Sequence, residues 1–142
     1  MVGCDPAAFS PFRRGFEWAL GVPLDIQALN DSAASLRGEH DFRAFSAVGQ
    51  DKPHYRCRIS VAEWEARRDR EGFIFHVEAD RFLHRMVRFL VGTMVDIGRG
   101  RRPSSDIAAL LRTTVNSETS PPAPPEGLYL MGARYPQLER GT

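Results

Sequence analysis

The run "DRFLHRMVRFLVGTMVDIGRGRRP", residues 80–103, constrains the chain more than any other stretch. It reads as the longest helix, capped by Asp80 and running to about Ile97, with Gly98 and Gly100 ending it and Pro103 blocking any return. Successive helical residues advance by ~100°, so with Arg81 at zero, Arg85 falls near ~+40°, Arg88 near ~−20°, Gly92 near ~+20°, Arg99 near zero and His84 at about −60°. Phe82, Leu83, Met86, Val87, Phe89, Leu90, Val91, Met94 and Val95 take the rest of the circumference. A helix apolar almost all round is buried in its own domain, and the narrow basic strip faces something else.

Arg88 stands between Val87 and Phe89, in the least polar part of the run. A partly dehydrated guanidinium costs several kcal/mol, of order 3–5, unless an anion is aligned with it. Its planar fork matches a carboxylate or a phosphate in bidentate fashion. Three partners are open: an acid of the same domain such as Asp41 or Glu78, a ligand or catalytic anion in a cleft, or solvent. Gly92 lies on the same strip one turn on. A glycine inside a helix costs about 1 kcal/mol against alanine, a cost accepted where something approaches the backbone.

The chain of 142 residues suits one domain with a real core. Its net charge is +1, with 18 Arg and a single Lys, Lys52. Residues 81–102 hold six Arg against one acid, Asp96, which makes a local anion-binding surface or a solvated basic face. Arg99, Arg101 and Arg102 follow the helix in a glycine-rich turn. Exposed, they suit the grip on a nucleic-acid backbone without sequence readout. No apolar run is long enough to span a bilayer, and no signal-peptide pattern opens the chain, so the cytoplasm is the expected compartment. Cys4 and Cys57 read as free thiols. No His/Cys spacing suggests a metal, and no glycine motif suggests a nucleotide cofactor.

Elsewhere the pattern is legible in pieces. Residues 1–12 read as loosely structured, 13–136 as one domain and 137–142 as a tail. "LDIQALNDSAASLRG" reads as a helix capped by Asp25, with Ile26, Leu29, Ala33 and Leu36 at helical spacing and Gly38 as the stop. "GEHDFRAFSAVGQDKPH" reads as loop. "YRCRISVAEWEA" alternates, with Tyr55, Cys57, Ile59 and Val61 on one face; "REGFIFHVEA" alternates with Phe73, Phe75 and Val77 on one face. The short "RRDREG" between them makes the two strands antiparallel neighbours. "SSDIAALLR" reads as a short serine-capped helix, "TSPPAPPE" as a rigid polar loop and "GLYLMGARY" as a closing strand. The class is α+β: a mostly antiparallel sheet with helices packed on one face.

"GEHDFRAF", "FHVEADRFLHRMVRFLVGTMVDIGRG" and "EGLYLMGARYP", in this order and spacing, resemble the C-terminal half of the tRNA pseudouridine synthase A family, from about Arg13 to Pro136. The resemblance implies a pseudouridine synthase C-terminal subdomain. It implies conversion of selected uridines in the anticodon stem-loop of tRNA to pseudouridine, with no metal or organic cofactor, by a homodimer. In such enzymes an aspartate acts at the ribose, the uracil is freed, turns, and is rejoined through carbon 5. The Arg of the M-V-R element, Arg88, pairs with that aspartate, and Leu128 of the G-L-Y-L element packs at the uracil. Arg85, His84 and Gly92, beside Arg88, fall to the substrate side, and Arg81, Arg99, Arg101 and Arg102 to the RNA backbone. The family's G-R-T-D-x-G-x-H element, which carries the aspartate, has no counterpart among the nine Asp contexts here, nor does its R-Y-x-Y strand. The chain is therefore expected to be inactive alone, a domain cut from a longer chain or one part of a split enzyme, and active only when an Asp-bearing N-terminal half, in the same chain or in trans, completes it. The alternatives are a non-catalytic RNA-binding module and a truncated remnant.

Overall fold

The alternating segments at 55–66 and 72–79 set the frame. In the computed structural model, which describes residues 1–4, 18–46, 55–68, 71–113, 118–126 and 128, strands β4 (Arg56–Ala66) and β5 (Gly72–Ala79) pair antiparallel. Before them come β1 (Val2–Gly3), β2 (Trp18–Ala19), helix α1 (Ile26–Ala34) and β3 (Gly38–Asp41); helices α2 (Met86–Gly98) and α3 (Asp106–Leu110) follow. The sheet order is β2-β1-β5-β4-β3, antiparallel except between β1 and β2. The α+β class with helices packed on a mostly antiparallel sheet is what forms.

The inner face of β4 does not keep one phase. Cys57 and Ile59 are buried as the alternation predicts, and then the register slips: Ile59 faces Ala79, whereas Val61 faces Glu78. Ser60 is the extra residue of a β-bulge, and a one-residue slip moves each later side chain to the other face. Ala62 and Trp64 therefore take the core side, and the expected inward Val61 turns outward with Glu63 and Glu65. Phe73, Phe75 and Val77 do share one face, opposite Ala66, Trp64 and Ala62, and the Trp64 and Phe75 rings stack at 5.0 Å.

Two segments expected to lack regular structure do form strands. Val2 and Gly3, in the segment read as loosely structured, pair with Phe73 and Gly72 of β5. Gly38–Asp41, read as loop, pairs residue by residue with Ile59–Arg56 of β4, and the 3₁₀ turn Arg43–Phe45 then buries Ala44 and Phe45. Neither segment is long enough to show a period, so ladder hydrogen bonds rather than apolar alternation create them. The expected closing strand at 127–135 lies outside the described residues, save Leu128.

Helix α1 starts as predicted: the Asp25 carboxylate accepts the backbone N–H groups of Gln27 and Ala28. It ends at Ala34, before Gly38, which opens β3 instead. Asn30 on α1 grips β4 where β3 has run out. Its amide donates to the Trp64 carbonyl at 3.0 Å and accepts the Trp64 N–H at 2.8 Å. Arg37 donates to the Ala62 carbonyl beside it. These side chains occupy ladder groups that a sheet edge would otherwise leave open.

Helix α2 begins at Met86, later than Asp80. The Asp80 side chain accepts the Arg58 N–H and its own N–H donates to the Arg58 carbonyl, so it closes the β4–β5 ladder instead of capping a helix. α2 lies on the inner face of the sheet, with Met86 against Cys57 and Met94 accepting the Trp64 indole N–H. It crosses α1 closely: a Cβ on Gly98 would stand 2.9 Å from a methyl of Leu29. In α3 the N-cap is Ser105, whose hydroxyl makes no capping bond, so the expected serine cap is positional only. Among the described residues no helix is long and apolar enough to cross a membrane.

Candidate functional site

Arg88 lies in the first turn of α2, half-buried. Its Nε–H donates to the carbonyl of Ala123 at 2.7 Å, and the Ala123 N–H donates back to the Arg88 carbonyl at 2.9 Å. Among the described residues Arg88 makes no ion pair, and no further bond of its terminal nitrogens is formed. The two acids named above as examples of an internal partner are engaged elsewhere or turned away. Asp41 accepts the Arg43 N–H, and Glu78 stands exposed on the outer face of the sheet. Among the described residues the guanidinium is thus held by its inner nitrogen alone, with its two-pronged end unspent there.

What holds it is the 118–123 segment, laid along α2. The Ser120 N–H donates to the buried Thr93 hydroxyl, and the Ser120 hydroxyl donates to Asp96 at 2.6 Å. Arg102 adds a three-way clamp, donating to Asp106 at 2.8 Å, to the Ser120 hydroxyl at 3.1 Å and to the Glu118 carbonyl at 2.8 Å. Gly92 is buried under this segment: a Cβ there would collide with the Pro121 carbonyl oxygen and reach to 3.2 Å from the Ala123 nitrogen. The close approach that the glycine signals is made by the chain's own backbone.

The remaining candidates separate. His84 and Arg85 are exposed in the turn before α2, and Arg85 adopts a left-handed backbone, φ 61°. Residues 81–83 precede that turn, so the strip computed from one continuous helix holds only from Arg88 onward. Arg81 bears on Cys57 instead, at the end of β4 near Asp80 and Asp41. Burial pushes the Cys57 thiol up, against the opposing pull of Arg81. A depression of about 300 Å³ lined by Glu39, Arg56, Cys57 and Asp80 lies there. Glu39 pairs with both Arg56 and Arg58, and the bond from Arg56 holds its carboxyl below the usual range. Arg99 is half-buried and Arg101 exposed. Arg102, expected in solvent, keeps only 20% of its side-chain surface there, because its fork is turned inward. Leu128 is 52% exposed, in a turn where its N–H meets the Pro125 carbonyl. Among the described residues no group of three or more His, Cys, Asp or Glu could hold a metal.

The contributions of Ser120, Asp96, Thr93 and Ala123 were missed in the sequence. One signal was readable: Arg102 and Asp106 stand at i, i+4. A profile of tRNA pseudouridine synthases matches residues 32–136. The chain belongs to the tRNA pseudouridine synthase family. It is 42% identical over 127 residues to the tRNA pseudouridine synthase A of Myxococcus xanthus, covering 89% of this chain and 47% of that protein. The protein of the same name from Bacteroides fragilis is 35% identical over 89% of this chain and 50% of its own length. That of Moorella thermoacetica is 39% identical over 87% and 50%. The chain spans about half the length of the curated relatives it matches. Within this synthase-family chain, Arg88 and all of the 118–123 clamp lie inside the span matched by the family profile.

Proposed function

We propose that this chain is the C-terminal half of a tRNA pseudouridine synthase A and forms one wall of its catalytic cleft. The observation that carries this reading is the Arg88 guanidinium, fixed through Nε to Ala123 with no carboxylate on it among the described residues. A half-buried cation of that kind is matched to an anion brought from outside. The aspartate of an N-terminal half supplies one. Opposite charge at close range keeps such a carboxylate ionised and oriented, ready to act on the ribose of the target uridine. The N-glycosidic bond then breaks, the uracil turns, and a bond forms between the ribose and carbon 5. The proton lost from carbon 5 is matched by one gained at nitrogen 1, so nothing is consumed. Leu128, exposed just beyond the clamp, offers an apolar surface to the uracil. Arg85 and His84 stand at the mouth, and Arg99 and Arg101 meet the RNA backbone. The substrate is the anticodon stem-loop of tRNA, and the assembled enzyme is a cytoplasmic homodimer that needs no cofactor.

The test is a pseudouridylation assay on unmodified tRNA, with this chain alone and with an Asp-bearing N-terminal half from a relative. The chain alone forms no pseudouridine, the pair does, and Arg88→Ala in the pair lowers turnover by about 100-fold or more, the scale at which loss of one aligned charge is felt. Full turnover by the chain alone, or by the Arg88→Ala pair, is incompatible with this assignment. Stable tRNA binding by a pair that never modifies it assigns the chain to a binding role instead.

A further inference from the structure

We infer that Ser120 and Arg102 are positioning residues for Arg88, acting through the proline-locked 120–123 segment; this rests on Arg88 facing the carboxylate as proposed above. The segment reads Ser-Pro-Pro-Ala. Pro121 and Pro122 have no N–H and fix φ near ~−65°, so the piece between Ser120 and Ala123 behaves as a short stiff rod. Its two backbone donors are the N–H groups of Ser120 and Ala123, and both are spent on α2, on Thr93 and on the Arg88 carbonyl. One end of the rod is pinned by the Ser120 hydroxyl between Asp96 and Arg102. The other end presents the Ala123 carbonyl to the Arg88 Nε–H.

A rod pinned at Ser120 fixes where the Ala123 carbonyl stands. A carbonyl bound to Nε fixes the plane in which the two terminal nitrogens point. Bidentate pairing with a carboxylate depends on that plane, because both N–H vectors must meet both oxygens at once. Gly92 supplies the space in which the rod lies. Arg102, read from the sequence as an RNA contact, thereby acquires a different role: its guanidinium is a bracket behind the catalytic one. Arg102 does not touch the reacting atoms, and its effect reaches them through Ser120, Ala123 and Arg88 in turn.

The experiment reads the arginine side chain directly. In nitrogen-15-labelled chain, the Nε–H of Arg88 is resolved and its exchange with water is compared with that of the exposed Arg101. The parent shows Arg88 exchanging at least about tenfold more slowly, as a maintained hydrogen bond requires. In Ser120→Ala and in Arg102→Gln this protection falls to within about threefold of Arg101, while the backbone amides of α2 keep theirs. Ser120→Ala removes one oxygen and adds no volume, so it reports even where Arg102→Gln weakens the fold. Arg88 staying slow in Ser120→Ala, or exchanging like Arg101 in the parent, overturns the inference. In the reconstituted pair both variants lower kcat with KM little changed. A pair without activity, beside intact Arg88 protection that the variants remove, sinks the proposed function and leaves the clamp standing.

Discussion

At position 92 two opposing effects can be weighed. Replacing Gly92 by alanine gives the helix about 1 kcal/mol in propensity. The added methyl meets the Pro121 carbonyl, which is backbone, flanked by a second proline and tied at both ends, so it cannot step aside cheaply. Overpacking against such an obstacle costs about 1–3 kcal/mol. The obstacle is unyielding enough to put the cost at the upper end, and Gly92→Ala is expected to lower stability by about 1–2 kcal/mol on balance. Urea unfolding followed by circular dichroism measures this; a midpoint equal to or above that of the parent would show that the 120–123 segment lifts away at little cost. The comparison also separates two meanings of a helical glycine. Its neighbour in space is a segment of its own chain, so the sequence signal was sound and the visitor it implied was internal. Arg102 teaches the same lesson for charge: a basic residue in a glycine-rich turn looked solvent-facing, and three partners distant or unremarkable in sequence turned it inward.

Between elements, the contact of α1 with β4 is made by hydrogen bonds as well as apolar area. Asp25 caps α1 at an exposed end, where loss of the carboxylate costs about 1 kcal/mol. Asn30 serves both ladder groups of Trp64 in a half-buried place, and each group left without a partner there costs about 1–3 kcal/mol. Asn30→Ala is therefore expected to destabilise by about 2–4 kcal/mol, clearly more than Asp25→Ala. Chemical denaturation of the two variants side by side decides the order, and equal losses would mean that water replaces the Asn30 amide at β4. The helix itself was readable from Asp25 and its 3.6-residue spacing, yet the job of Asn30 was not, since its partner lies in another element. The β4–β5 pair was readable for the same reason of period. The phase change at Ser60 was hidden because a bulge leaves the composition of a strand untouched. At Asp80 one residue type fits two roles, and the ladder to Arg58 prevailed over the helix cap. For the candidate site, Arg88 announced itself by its apolar company, whereas Ala123 acts through backbone atoms that any residue possesses.

Across the whole molecule, charge is sorted by face in a way the net value of +1 conceals. The outer face of the sheet carries Glu39, Asp41, Glu63, Glu65 and Glu78 against Arg56 and Arg58, and Glu39 already occupies both arginines. That face repels a polyanion. Among the described residues, three further arginines flank the two ends of α2: Arg85 before its first turn, Arg99 and Arg101 after its last. Thirteen helical residues separate these ends by about 20 Å at 1.5 Å per residue, so an RNA backbone following α2 meets cations at two places. Each phosphate neutralised contributes a slope of about −0.7 to −0.9 in the logarithm of affinity against the logarithm of salt. Replacing Arg99 and Arg101 together by alanine is thus expected to flatten the slope for tRNA by about 1.4–1.8. Arg102→Gln should change it by less than about one phosphate's worth, because that charge already faces Asp106, and Glu63→Gln with Glu65→Gln should leave the slope in place while raising affinity slightly. Filter binding or fluorescence anisotropy over a salt series gives all four slopes. A parent whose affinity does not move with salt, or an Arg99/Arg101 double variant whose slope matches the parent, would place the tRNA somewhere other than along α2.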